Sequence, residues 1–75
     1  MKIKSYEQAR GQCGVWIKFD NAGWRCVVSC YSPNEVREYA LERVVHGNNV
    51  ERVELREPTG ECFDVIYSRD WFKPV

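Results

Sequence analysis

Hydrophobic and polar positions alternate along this chain with two periods, one typical of strands and one typical of a helix. The helical stretch runs from Ser32 to Gly47, where apolar residues recur every three or four positions. Ser32 is predicted to cap this helix, Pro33 suits its first position, and Gly47 suits a left-handed cap at its end. At about 100° per residue, one apolar side is formed by Val36, Ala40, Leu41 and Val44. A helix with one apolar side is expected to lie across one face of a sheet.

Four stretches alternate with period two and predict strands: residues 13–19, 24–31, 50–57 and 61–68. Residues 1–8 alternate more weakly and predict an additional edge strand. The turn residues between the paired stretches are typical of hairpins. The chain is therefore predicted to be a single α+β domain, residues 1–75. It consists of a small antiparallel sheet of four or five strands, in the order β-β-α-β-β, with one helix packed on one face.

Strand parity assigns each side chain to one face of the sheet. In the second strand, the core side is predicted to hold Trp24, Cys26, Val28 and Cys30. In the last strand we expect Asp64 to point away from the core, because burying a carboxylate is costly. The inward side chains of that strand are then Phe63, Val65 and Tyr67. The helix-free face is predicted to carry Trp16, Lys18, Arg25, Val27, Tyr31, Arg52, Glu54 and Arg56.

This helix-free face is the predicted binding surface. Arginine beside tryptophan and tyrosine is typical of protein interfaces, where these residues dominate the binding free energy. The same combination is typical of sheets on which single-stranded nucleic-acid bases stack. The predicted partner-binding residues are Trp16, Lys18, Arg25, Tyr31, Arg52 and Arg56. An ordinary solvated face, a nucleic-acid-binding module and an accessory protein that homodimerises through this face are the alternatives.

Composition narrows the classes of partner. Eleven basic residues balance eleven acidic ones, so the chain has no strong positive field for nucleic acid, although direct contact through a local patch is compatible with it. No apolar run approaches the ~20 residues of a membrane span, and the first residues lack the apolar core of a signal peptide. We therefore expect a cytoplasmic protein with no membrane contact.

Candidate catalytic and metal-binding residues are few. Cys26 and Cys30 would lie about 13 Å apart along a strand, too far for two sulfurs that bind one zinc ion. Cys13 and Cys26 could approach across a hairpin, yet we expect all thiols, Cys62 included, to be reduced and metal-free. His46 has no identifiable orienting partner, and no phosphate-binding loop or nucleophile motif occurs. No catalytic residue, metal site or cofactor is predicted, and the protein is expected not to be an enzyme.

One segment resembles a known family. It contains, in order, Ser32, a helix with an alanine at mid-length, His46-Gly47, Val50 and Arg52-Val53. This order is similar to part of the small phage-encoded type I anti-CRISPR proteins, some of which are an antiparallel sheet with one helix. The resemblance covers about twenty of the 75 residues and carries over no binding residue. It implies an inhibitor in the bacterial cytoplasm that docks on a CRISPR surveillance complex and blocks target-DNA binding or nuclease recruitment.

Overall fold

The fold is a four-stranded antiparallel sheet with one helix, seen in a computed structural model that describes residues 8–44 and 49–72. The main elements are β1 (Cys13–Phe19), β2 (Gly23–Cys30), α1 (Pro33–Tyr39), β3 (Val50–Arg56) and β4 (Cys62–Ser68). A π-helical turn (Ala40–Val44) continues α1, and a 3-10 turn (Arg69–Phe72) follows β4. The α+β class with one antiparallel sheet and one helix is confirmed. The predicted edge strand, apart from Gln8, and the helix end at Gly47 lie outside the described residues.

The sheet has the strand order β2-β1-β3-β4, so β1 and β3 are central and β2 and β4 are edges. Each neighbouring pair contains a shift of register, where one strand has an extra residue. The extra residues implied by these shifts are Val27 in β2, Glu51 in β3, and Phe63 and Ile66 in β4. Such bulges bend a strand and change which side chains share a face. They explain the largest differences from the predicted faces.

The core lies between the helix and one face of the sheet. Val36 and Ala40 are fully buried from the helix side. The strands contribute Cys13, Val15, Ile17, Val28, Val50, Val53 and Leu55. The predicted start of the helix is confirmed, since Oγ of Ser32 accepts a hydrogen bond from the backbone N–H of Glu35 at 3.4 Å. This cap satisfies one of the unpaired N–H groups at the start of α1 and fixes where the chain turns onto the sheet.

The predicted burial of Leu41 is wrong, because this side chain is 51% exposed. Leu41 follows Ala40 by about 100° around the helix, at the margin of the apolar side. The wider π-helical turn that begins at Ala40 does not return it to the sheet. The side chain of Val44, which was predicted to share the apolar side, lies outside the described part of the chain. Among the described side chains of the helix, Val36 and Ala40 are buried and Tyr39 packs against the core.

The prediction that Arg25 lies on the helix-free face is also wrong. Because Val27 is extra, Arg25 pairs with Ile17 on the helix-facing side, where its Cζ lies 5.9 Å from the centroid of the Phe19 ring. The same shift moves Trp24 and Cys26 to the helix-free face, where their cross-strand neighbours are Lys18 and Trp16. Val28 and Cys30 keep the facing that parity predicted, since they lie beyond the bulge.

The predicted facing of β4 is wrong at Asp64. This residue pairs with Leu55 on the helix side, and its carboxylate accepts two hydrogen bonds from Arg37, at 3.0 and 3.2 Å. The helix supplies the counter-ion that makes this position acceptable for a carboxylate. Val65 pairs with Glu54 on the opposite face, whereas the extra residue Ile66 packs against the core. The ion pair is more than a third exposed on both sides, so we expect it to stabilise the fold only modestly.

Candidate binding interface

The helix-free face brings two tryptophans together with alternate residues of β3. Residues directly opposite each other in a sheet share a face, and Trp16 lies opposite Glu54 while Lys18 lies opposite Arg52. The bulge at Val27 adds Trp24 from the edge strand β2. We call this group the tryptophan–arginine cluster; it consists of Trp16, Trp24, Arg52, Glu54 and Arg56.

Arg56 is the centre of the cluster. Its guanidinium carbon lies 4.5 Å from the centroid of one Trp16 ring and 4.8 Å from that of Trp24. Each such contact contributes about 0.5–1 kcal/mol when exposed and more when water is excluded. The cross-strand neighbour of Arg56 is Gly14, and the space that a side chain on Gly14 would need is occupied by Gln8. The Arg56 side chain is only 22% exposed, so contacts within the chain hold it in place.

Glu54 links the two arginines of the cluster. One of its carboxylate oxygens accepts from Nε of Arg52 at 2.7 Å, and the other accepts from Nε of Arg56 at 3.2 Å. These three residues are alternate positions of one strand, so they lie in a row on the same face. The Glu54 side chain is 12% exposed, compared with 37% for Arg52. The row carries two positive charges and one negative charge, with Arg52 presented to solvent.

Gln8 fixes the orientation of Trp16. The indole N–H of Trp16 donates to Oε1 of Gln8 at 2.7 Å. The amide nitrogen of Gln8 in turn donates to the carbonyls of Gln12 and Glu57, at 2.7 and 2.8 Å. A Cβ on Gly14 would lie 2.5 Å from Oε1 of Gln8, so only glycine fits there without displacing this side chain. Gln8 is thereby held at one end of the helix-free face.

Replacing Gln8 by Leu is expected to lower the free energy of unfolding by about 1–3 kcal/mol. The substitution leaves the half-buried indole N–H of Trp16 and the part-buried carbonyl of Gln12 without their partner. Water can replace Gln8 at the exposed carbonyl of Glu57. Urea denaturation followed by tryptophan fluorescence measures the change. Gly14→Ala tests the same contacts without changing Gln8 itself, because the new methyl group displaces the Gln8 side chain. We expect it to lower the free energy of unfolding as well. Wild-type stability in both variants would contradict a positioning role for Gln8.

Two small buried residues underlie the cluster. Cys26 is 2% exposed and Ser29 is fully buried, yet neither belongs to the core on the helix side. The Cys26 thiol lies 3.5 Å from the carbonyl of Val28, and Oγ of Ser29 accepts from the N–H of Ala9 at 3.1 Å. Burial raises the pKa of the Cys26 thiol, and hydrogen bonding to Ser29 opposes this increase. The geometry therefore supports Cys26 as a small packing residue rather than a nucleophile.

The predicted binding residues are only partly brought together. Trp16, Lys18, Arg52 and Arg56 share the helix-free face. Arg25 lies on the other side, and Tyr31 lies just after β2, where it is 76% exposed. Lys18 makes an ion pair with Glu51 at 2.8 Å in which both side chains are over 40% exposed. Sequence reasoning missed Trp24. The available indication was Val27-Val28, two adjacent apolar residues that interrupt the alternation.

No group of three or more histidine, cysteine, aspartate or glutamate side chains is arranged for a metal ion within residues 8–44 and 49–72. His46 lies outside that part of the chain. The same described residues contain no helix of sufficient length and apolarity to cross a membrane. The cluster of aromatic and charged residues on the open sheet face is therefore the candidate site that the geometry defines.

Comparison with known proteins adds no relative to this description. No protein-family model matches the chain, and neither a curated protein nor a solved structure does.

Proposed function

We propose that the protein is a non-enzymatic binding protein that docks on another protein through the tryptophan–arginine cluster. The observation that supports this proposal is the contact of Arg56 with both indole rings. Tryptophan and arginine are the residues most enriched among interface positions that dominate binding free energy. Because Gln8 and Glu54 already order the cluster, little side-chain entropy is lost when a partner binds.

The charges of the cluster favour an acidic protein surface as the partner. Glu54 neutralises one of the two arginines of its row. Arg52 uses Nε for this contact and its side chain is 37% exposed, so the contact with Glu54 does not use its terminal nitrogens. A guanidinium presented in this way can donate two parallel hydrogen bonds to one carboxylate. The indole rings then supply the apolar area around that contact.

We further propose a type I CRISPR surveillance complex as the target, with this protein as an inhibitor of the phage type. The support is the resemblance of the segment from Ser32 to Val53 to that family. The inhibitor would occupy a protein surface of the complex and prevent target-DNA binding or nuclease recruitment by steric exclusion.

Nucleic acid is the less favoured partner for this face. A base that stacks on Trp16 or Trp24 would have to displace the Arg56 guanidinium from the rings. The carboxylate of Glu54 at the centre of the arginine row would also repel a phosphate group. Binding to nucleic acid would weaken steeply with salt, whereas docking on a protein depends on salt much less.

The test combines capture with phage plating. The tagged protein is incubated with lysate of a bacterium that carries a type I CRISPR system, with and without nuclease treatment, and the captured proteins are identified by mass spectrometry. We expect subunits of the surveillance complex to be captured in both arms. We also expect targeted phage to plate efficiently on an immune host that expresses the protein.

Two outcomes would contradict the proposal at different levels. If hosts with a panel of type I systems stay fully immune to phage despite good expression of the protein, the CRISPR target is contradicted. The proposed docking through the tryptophan–arginine cluster is not affected by that result. Capture that disappears after nuclease treatment would instead identify a nucleic-acid-binding module. A dimer in light scattering that Arg56→Glu dissociates would identify the face as a homodimer interface.

A further inference from the structure

We propose that Cys13 and Cys30 form an intramolecular disulfide site, which a small disulfide oxidant such as oxidised glutathione closes in the folded protein. The two residues are directly opposite each other in the register of β1 and β2. They lie at the open end of the hairpin, on the helix-facing side of the sheet. From the sequence, Cys13 could instead approach Cys26, but the bulge at Val27 turns Cys26 to the other face.

The spacing of opposed residues suits a disulfide. Directly paired residues of antiparallel strands have Cα atoms about 4.5–5.5 Å apart, within the range of about 4.4–6.8 Å that disulfides require. Their Cβ atoms are about 4.5–5.5 Å apart, so closure needs an approach of up to about 1 Å. Cys13 is the first residue of β1 and Cys30 is the last residue of β2. Strand ends adjust more easily than strand centres.

The other two thiols are not placed to compete. Cys26 is 2% exposed and lies opposite Trp16 on the helix-free face. Cys62 lies on β4, which is separated from β1 by the whole of β3, about 10 Å at the usual strand spacing. Cys62 is exposed and can react with external reagents. Only Cys13 and Cys30 are direct cross-strand neighbours among the four.

The reaction has two exchange steps. The thiolate of Cys30, which is half-buried and therefore the more accessible of the pair, attacks one sulfur of oxidised glutathione and releases one glutathione thiolate. The thiolate of Cys13 then attacks the Cys30 sulfur of the mixed disulfide and releases the second glutathione. Two protein thiols are oxidised, one glutathione disulfide is reduced to two glutathione molecules, and the two thiol protons pass to the released thiolates or to solvent.

The local environment makes this exchange slow at neutral pH. Burial raises the pKa of both thiols, and the nearby carboxylates of Glu57 and Glu35 raise the pKa of Cys13 and Cys30 respectively. A raised pKa reduces the thiolate fraction at neutral pH, so the rate of closure increases as the pH rises toward the raised values. Such a site stays reduced in a reducing compartment and closes in an oxidising one.

The experiment uses the full chain with Cys62→Ser, so that exposed thiols cannot join two molecules. The protein is incubated with oxidised glutathione without denaturant, and its folded state is followed by circular dichroism. We expect the intact mass to fall by two hydrogens, with no bound glutathione at the end point. Trypsin should then yield peptide 11–18 linked to peptide 26–37. The denaturation midpoint should be higher for the oxidised form, since the cross-link restricts the unfolded chain.

Peptide 26–37 contains both Cys26 and Cys30, so two further variants assign the bond. Adding Cys26→Ser should leave the mass loss and the peptide link unchanged. Adding Cys30→Ser should abolish both. A link that needs Cys26, a stable mixed disulfide with glutathione, or four reduced thiols in the wild-type chain after prolonged oxidation would each overturn the proposal.

Discussion

Replacing Leu55 by Ala is expected to lower the free energy of unfolding by about 2–5 kcal/mol. Leu55 is fully buried in β3, between Val15 of β1 and Asp64 of β4, so the substitution removes apolar contacts and leaves a cavity. The matched control is Leu41→Ala, which changes the same residue type where it is 51% exposed. There we expect a change within about 0.5 kcal/mol. Urea denaturation of both variants measures the difference.

This pair of variants tests the rotation of the helix as well as the core. Sequence periodicity placed Leu41 on the buried side, and the structure exposes it where the π-helical turn begins. A loss of 2 kcal/mol or more for Leu41→Ala would indicate that this side chain is buried in the core. It would contradict the π-helical turn that exposes Leu41. Unchanged slopes of unfolding free energy against urea concentration would show that the unfolded state is the same in both variants.

Local chemistry was sufficient to predict where the helix begins and which class of fold forms. Ser32 and Pro33 act within one turn of the helix, and their effect does not depend on distant residues. The alternation within residues 13–19 likewise predicted that Trp16 and Lys18 lie on the helix-free face. These features are properties of short segments, which is why sequence reasoning found them.

The faces of β2 and β4 could not be predicted in the same way, because they depend on bulges. A single extra residue reverses the facing of the side chains on one side of it relative to those on the other side. Adjacent apolar pairs, Val27-Val28 and Val65-Ile66, mark two of these positions. Whether such a pair forms a bulge depends on the neighbouring strand, as with Trp16, which lies opposite Cys26 rather than Val27.

Asp64 shows a second limit of sequence reasoning. The prediction turned it outward because an unpaired carboxylate beside a core is costly. Arg37 removes that cost from a position 27 residues earlier in the chain. A charged partner so distant in the sequence does not change the alternation of apolar and polar residues within the strand. For the same reason, the contact between Arg56 and Trp24 could not be read from either strand alone.

The largest effect on binding is expected from Arg56. With the partner captured from lysate, Arg56→Glu is expected to weaken binding by about 2–4 kcal/mol. The change removes the guanidinium from both indole rings and places a second carboxylate beside Glu54. Titration calorimetry of the purified pair measures the loss, and circular dichroism checks that the variant is folded.

Two matched variants separate the geometry of the cluster from its charge. Arg25→Glu makes the same change of charge on the helix-facing side of the sheet, so we expect binding within about 0.5 kcal/mol of the wild type. Arg56→Lys keeps the charge but loses the planar group that lies against Trp16 and Trp24, and an intermediate loss is expected. Equal losses for Arg25→Glu and Arg56→Glu would show that net charge drives association. Wild-type affinity in Arg56→Glu would place the partner on another surface, because a folded variant without its central guanidinium cannot bind normally through this cluster.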